Sequence, residues 1–120
     1  CSSVGTIRRN PEIFFKNKKP DFLKLLNIQE KMLNKAKSLL KSEGTILYMT
    51  CSFLKIETFD QVNKFLKSNQ NFYLDKSNFN QENSPFTKFI KDKFFYTLPT
   101  SYINYNIDGF FAAYLRKGIR

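Results

Sequence analysis

The feature that most constrains this chain is an amphipathic stretch of helical length that runs into a short apolar strand ending in a cysteine. From Asp21 onward, Phe22, Leu25, Leu26, Gln29, Met32, Leu33, Ala36, Leu39 and Leu40 recur at three- and four-residue spacing, which lines one face of an α-helix. Asp21 is placed to cap this helix and Gly44 to stop it. Thr45-Ile46-Leu47-Tyr48-Met49-Thr50 then reads as a strand. A second helical spacing comes at Phe59, Val62, Phe65 and Leu66, in a helix expected to begin near Glu57. Helix, strand, helix is the rhythm of an α/β fold with a parallel sheet and crossovers. Cys51 therefore falls at the carboxyl end of a buried strand, where open α/β sheets carry out their chemistry.

The remaining segments are less regular. Residues 2–20 read as a loop carrying Gly5, Arg8, Arg9, Pro11 and a Lys-rich stretch. Residues 72–74 fit a short strand, and Lys76 to Ser84, rich in Asn, Ser and Gln, reads as an exposed loop. Ser84-Pro85 introduces a short helix with Phe86, Phe89 and Ile90 inside. Phe94 to Leu98 and Phe110 to Leu115 are expected to pair antiparallel, joined by a turn through Asn104 and Asn106 that ends at Asp108-Gly109. A chain of 120 residues with no repeat and no boundary fits a single domain.

Composition narrows the chemistry. Fourteen Phe and 42% hydrophobic residues suffice for a packed interior. The net charge of +10 points to an anionic partner, nucleic acid above all, although 16 Lys against 4 Arg, with abundant Asn and Ile, is also what an AT-rich coding bias produces. Two cysteines form no disulfide framework, and the first residues have neither part of a signal peptide, so the expectation is a reducing cytoplasm. The longest apolar run, Phe110 to Leu115, is far below the roughly 18 residues that cross a bilayer, so no membrane role is expected. With no histidine, His-dependent triads and acid/base pairs are excluded, and a four-ligand nitrogen and sulfur zinc site cannot be completed within the chain. Cys51 remains as a candidate thiol nucleophile; the alternative is a cysteine that only packs.

Five strings carry more than composition does. They are Cys1-Ser2-Ser3-Val4-Gly5-Thr6-Ile7-Arg8-Arg9-Asn10-Pro11-Glu12; Ile28-Gln29 with Met32-Leu33; Leu40-Lys41 with Gly44-Thr45; Tyr48-Met49-Thr50-Cys51-Ser52; and Asp108 to Lys117, preceded by Leu98-Pro99. In that order and spacing they resemble the bacterial RNA cytosine-5 methyltransferases of the Sun type, the first string being similar to the segment directly after their Asp-Ala-Pro tripeptide. The resemblance covers the chain except roughly residues 70–93. It implies an α/β fold that is the C-terminal half of a Rossmann-like, S-adenosyl-L-methionine-dependent methyltransferase domain, ending in an antiparallel strand pair, with residues 1–120 as the C-terminal part of the catalytic domain.

The same resemblance implies S-adenosyl-L-methionine as methyl donor, small-subunit 16S rRNA as partner, no metal, and a monomeric full-length protein. By it, Cys51 would add to carbon 6 of a target cytosine as covalent nucleophile, preparing carbon 5 for methylation, and Cys1 would assist release of the product. Arg8 and Arg9, beside the site, become candidate RNA contacts, with solvated loop cations as the alternative. Glu57 aligns with the second acidic residue of the family's Glu-Glu-Asn, but Ile56 and Thr58 depart from that tripeptide, so a polar network of the kind it builds is put in doubt and an early-turn helix residue is the alternative. Ser3 stands where many members have Gly or Ala.

Three family elements precede this stretch: the glycine-rich loop that holds the donor, the acidic residue that binds its ribose, and the RNA-binding N-terminal domain. The four glycines, Gly5, Gly44, Gly109 and Gly118, form no Gly-x-Gly substitute. The expectation is a chain holding both cysteines and only part of the donor site, unstable or inactive alone. A non-catalytic basic RNA-binding module, or a remnant, is the alternative.

Overall fold

The computed structural model describes residues 1–79, 84–99 and 106–119. Its first regular element is α1, Phe22–Leu39, where the side chain of Asp21 accepts a hydrogen bond from the Lys24 N–H at 3.0 Å, as an N-cap does. The helix ends at Leu39 with an extended Leu40, so Gly44 is not its stop. Glu43, not a glycine, takes the left-handed turn at φ 59°. Gly44 serves the sheet instead: its carbonyl accepts from Lys117 N–H at 2.9 Å, and a Cβ there would lie 2.6 Å from the Leu40 side chain.

Strand β1, Thr45–Thr50, alternates in burial, with Tyr48 and Thr50 inside and Leu47 and Met49 outside. After a short 3₁₀ turn at Lys55–Glu57 comes α2, Phe59–Ser68, two residues later than the spacing suggests. Strand β2 is Phe72–Leu74, as expected. The helix expected after Pro85 is only a 3₁₀ turn at Thr87–Phe89, and Ile90 leaves it for strand β3, Ile90–Lys91. That strand turns through a left-handed Asp92, φ 56°, into β4, Phe94–Thr97; Asp tolerates this conformation better than most residues. Strand β5 is Phe110–Lys117. Of the turn expected between the last two strands, Asn104 lies outside the described residues. The expected exposed loop at 76–84 is described only in part. Within it Ser77–Phe79 forms a 3₁₀ turn whose Phe79 ring lies 4.7 Å from that of Tyr114.

The sheet is built around β5. One of its edges carries β1, from Thr45↔Arg116 to Thr50↔Phe111; the other carries β4, from Phe94↔Ala113 to Thr97↔Phe110, and β2 beyond it. The order is β1-β5-β4-β3. Every described pairing is antiparallel, so the crossover rhythm does not appear as adjacent parallel strands. It survives in orientation, because β1 and β4 both run opposite to β5 and hence alike. On one face Phe111, Ala113 and Leu115 of β5 meet Tyr48, Leu33, Val62 and Phe65 in the core under α1 and α2. On the other, Phe79, Phe89, Phe95 and Phe110 form a second aromatic layer. That layer stops short of β1, whose outer side chains Leu47 and Met49 are exposed.

Candidate active site

Two segments from opposite ends of the described chain meet at the carboxyl end of β1. Residues 1–10 form a tight loop with a 3₁₀ turn at Val4–Thr6, and it is fastened at one point by Gly5. The Gly5 N–H donates to the Cys51 carbonyl at 3.0 Å, and the Gly5 carbonyl accepts from Gly109 N–H at 2.7 Å. A Cβ on Gly5 would lie 1.9 Å from the Gly109 carbonyl oxygen, so the crossing of three backbones demands glycine.

This crossing brings together the two cysteines that the sequence singles out. Cys1 Sγ lies 3.1 Å from Cys51 Sγ, and both are free thiols, Cys1 exposed and Cys51 half-buried. Ser3 holds a left-handed backbone, φ 61°, at the position where the resemblance has Gly or Ala. Its hydroxyl comes within 3.6 Å of Cys51 Sγ and 4.0 Å of Cys1 Sγ.

Arg8 and Arg9 are not free loop cations. Arg9 donates from Nε to Asp108 Oδ2 at 2.7 Å, with Nη2 2.6 Å from the same oxygen, and Arg8 Nη2 lies 3.5 Å from Asp108 Oδ1. Asp108 thereby joins the first loop to the entry of β5. The Arg9 side chain is still 59% exposed and that of Arg8 29%, leaving guanidinium edges open to solvent.

Sequence reasoning left in doubt what lies beneath the two thiols. Glu57, with an early-turn helix residue as its alternative reading, is completely buried. Its Oε1 accepts from the Ser2 N–H at 2.8 Å and from Gln29 Nε2 at 3.1 Å, and its Oε2 accepts from Ser2 Oγ at 2.5 Å. Burial opposes its charge, but the donors from Ser2, Ser52 and Gln29 outweigh that and hold the carboxyl below the usual carboxylate range. The Glu57 carbonyl accepts from the Tyr48 hydroxyl at 2.8 Å, and burial together with the Glu57 charge pushes that phenol upward. Gln61 closes the network by donating to Gln29 Oε1 at 3.2 Å. The sequence signals of this network were a glutamate six residues past a candidate nucleophile and its alignment with the second acidic residue of the Glu-Glu-Asn in the family that the chain resembles.

Alongside the thiols runs a groove of about 450 Å³ between α1 and the open edge of β1, lined by Met32, Leu33, Ala36, Ile46, Met49 and Phe110 as well as by Cys1, Gln29, Thr50 and Cys51. The Thr50 hydroxyl is buried there without a hydrogen-bond partner among the described residues. No carboxylate, cation or glycine-rich backbone lines the groove. The donor set that a nucleoside cofactor such as S-adenosyl-L-methionine requires is therefore not supplied by these residues.

An antiparallel sheet ordered β1-β5-β4-β3 under two helices, with two thiols at the end of β1, defines the C-terminal half of a Rossmann-like methyltransferase domain. The comparisons agree in detail: the family model for 16S rRNA methyltransferase RsmB/F matches residues 1–116, and the chain belongs to that family. It is 35% identical over 117 residues to the ribosomal RNA small subunit methyltransferase B of Pasteurella multocida, and 30% identical over 117 residues to the probable enzyme of that name from Bacillus subtilis. Each match covers 98% of this chain but only 24% and 26% of those proteins. The Proteus mirabilis enzyme of the same name is 40% identical over 75 residues, 62% of this chain and 18% of that protein. The crystal structure of PH0851 superposes with a TM-score of 0.78 at 29% identity, covering 98% of this chain and 25% of that one. The chain thus spans about a quarter or less of the length of these relatives.

Proposed function

We propose that this chain is the C-terminal part of the catalytic domain of an S-adenosyl-L-methionine-dependent methyltransferase that modifies carbon 5 of a cytosine in 16S rRNA, and that the donor-binding half and an RNA-binding domain lie on a preceding segment. The observation that carries this reading is the meeting of Cys1 and Cys51 at 3.1 Å, at the strand end where such sheets act, in a chain of the RsmB/F family.

In this reading the Cys51 thiolate forms a bond to carbon 6 of the cytosine, and the electrons of the 5,6 double bond shift toward the ring carbonyl and nitrogen, leaving carbon 5 able to take a methyl group. S-adenosyl-L-methionine, held on the preceding segment, supplies that methyl. Transfer of the carbon 5 proton to water then re-forms the double bond and expels Cys51 as its thiolate, a release that Cys1, standing against Cys51, assists. Arg8 and Arg9 present guanidinium edges to the RNA backbone at the rim. The protein works on rRNA in the cytoplasm, as a monomer. The groove lined without donor-binding groups supports the further statement that this chain transfers no methyl group by itself.

The test is Cys51→Ala in the protein carrying both halves, incubated with unmodified 16S rRNA transcribed in vitro. The covalent protein–RNA band on a denaturing gel is expected to disappear, together with 5-methylcytosine in the RNA. Persistence of the band would move the nucleophile elsewhere.

A further inference from the structure

Glu57 touches neither thiol, yet its carboxylate binds the residue next to Cys1. Ser2 follows Cys1, and both its N–H and its hydroxyl go to Glu57. Ser52, which follows Cys51, is itself fully buried and is among the groups that lower the pKa of the Glu57 carboxyl. The carboxylate is anchored from behind by Gln29 of α1, while its own backbone is held by Tyr48 of β1. The first loop and α1 therefore meet on the Glu57 side chain, while β1, which carries Cys51 at its end, holds the Glu57 backbone.

The two cysteines depend on it unequally. Cys51 is positioned by β1, whose ladder with β5 runs to Thr50↔Phe111, and its carbonyl is held by Gly5 N–H. Cys1 has no strand behind it. Between Cys1 and the Gly5 anchor the loop turns through the left-handed Ser3, and apart from the sulfur contacts of Cys1 and Ser3 with Cys51 the two Ser2 bonds to Glu57 tie that stretch to the body of the fold. Bonds to an ionised carboxylate are about twice as strong as neutral ones, which suits a clamp made of two bonds on a loop.

We infer that Glu57 is a positioning residue that seats the Cys1 thiol on Cys51, so that its loss slows release of the methylated RNA while leaving formation of the covalent adduct nearly intact. The inference rests on the roles proposed above for the two cysteines. It assigns to Glu57, through Ser2, a place in the second half of the reaction only.

The experiment uses the protein carrying both halves, unmodified 16S rRNA transcribed in vitro, and a radiolabelled methyl donor, with three readouts: the first-turnover burst of methyl transfer, the steady-state rate, and the fraction of protein trapped on RNA in a denaturing gel. For Glu57→Gln, the burst is expected within about twofold of the parent while steady-state turnover falls by up to ~100-fold, the scale of effect that misplacing a reacting group by about 1 Å produces, and trapped protein rises toward the level of Cys1→Ala. Ser2→Ala, which removes one of the clamp's bonds without opening the core, should move all three readouts the same way by a smaller amount; it keeps the test in force if Glu57→Gln melts early. Adding Glu57→Gln to Cys1→Ala should change nothing further, because both act on one step. Equal falls in burst and turnover without trapped adduct, or no change in either variant, would overturn the inference while leaving the cysteine assignments standing. If Cys51→Ala still forms adduct, or Cys1→Ala fails to accumulate it, the cysteine assignments themselves fall and this inference with them.

Discussion

Gly5 lies where the first loop, the end of β1 and the start of β5 cross, and its hydrogen bonds to Cys51 and Gly109 are the shortest route between the two cysteine segments. Gly5→Ala would place a methyl group inside the van der Waals radius of the Gly109 carbonyl, and backbone on both sides leaves no flexible side chain to give way. The expected cost is ~3 kcal/mol, near the upper end of single-substitution effects, read as a lowered denaturant midpoint, together with loss of adduct formation. A stability within about 0.5 kcal/mol of the parent, roughly the range of neutral surface changes, would mean that the crossing relaxes freely. At this scale the cysteines were legible, because short motifs around them keep order and spacing. The carboxylate beneath them was not. Its partners Ser2 and Gln29 stand 55 and 28 residues away in sequence, and isolated polar residues carry no periodicity that would link them.

Strand β5 is the element on which the others depend, since β1, β2 and β4 all pair with it. Its alternation separates two roles. Phe111 is fully buried and packs edge-on against Phe59 at 5.0 Å and near Tyr48 at 6.3 Å, whereas Phe110 faces the other layer and is half-buried. Phe111→Ala should therefore cost ~3–5 kcal/mol, the range for emptying an aromatic core position, and Phe110→Ala markedly less. Chemical denaturation of the two variants side by side checks this, and equal losses would contradict the assigned faces. Helix α1 was readable because burial of one face writes a period into the sequence, and β5 because cover on both faces leaves a continuous apolar run, Phe110 to Leu115. The β3–β4 hairpin was not, because a two-residue strand has no period, and the left-handed Asp92 that makes the turn carries no glycine signal. Pro85 drew the helix reading, but with Ile90 needed opposite Phe95 only one 3₁₀ turn fits between them.

Across the whole molecule, the sheet is unfinished on one side. β1 ends the strand order, so its outer backbone edge lacks a partner strand among the described residues, and the groove beside it is apolar. The accessible surface of 8279 Å² exceeds the roughly 6,800 Å² that size scaling gives a compact monomer of this mass. The radius of gyration, 15.5 Å, exceeds the ~13.6 Å of a compact chain of this length. An open strand edge next to exposed apolar side chains recruits other chains, and Leu47, 41% exposed, and Met49, 55% exposed, stand on the strand that forms it. The 120-residue chain on its own is therefore expected to self-associate at micromolar concentration, eluting ahead of its 14.2 kDa monomer in size-exclusion chromatography. Replacing both Leu47 and Met49 by Lys should return it to the monomer position, since charge on an edge strand opposes pairing. The same double substitution should abolish co-purification with a separately expressed donor-binding half, because the surface that drives self-association is the one that half would cover. If the unsubstituted chain elutes as a monodisperse monomer, the open edge of β1 does not drive self-association.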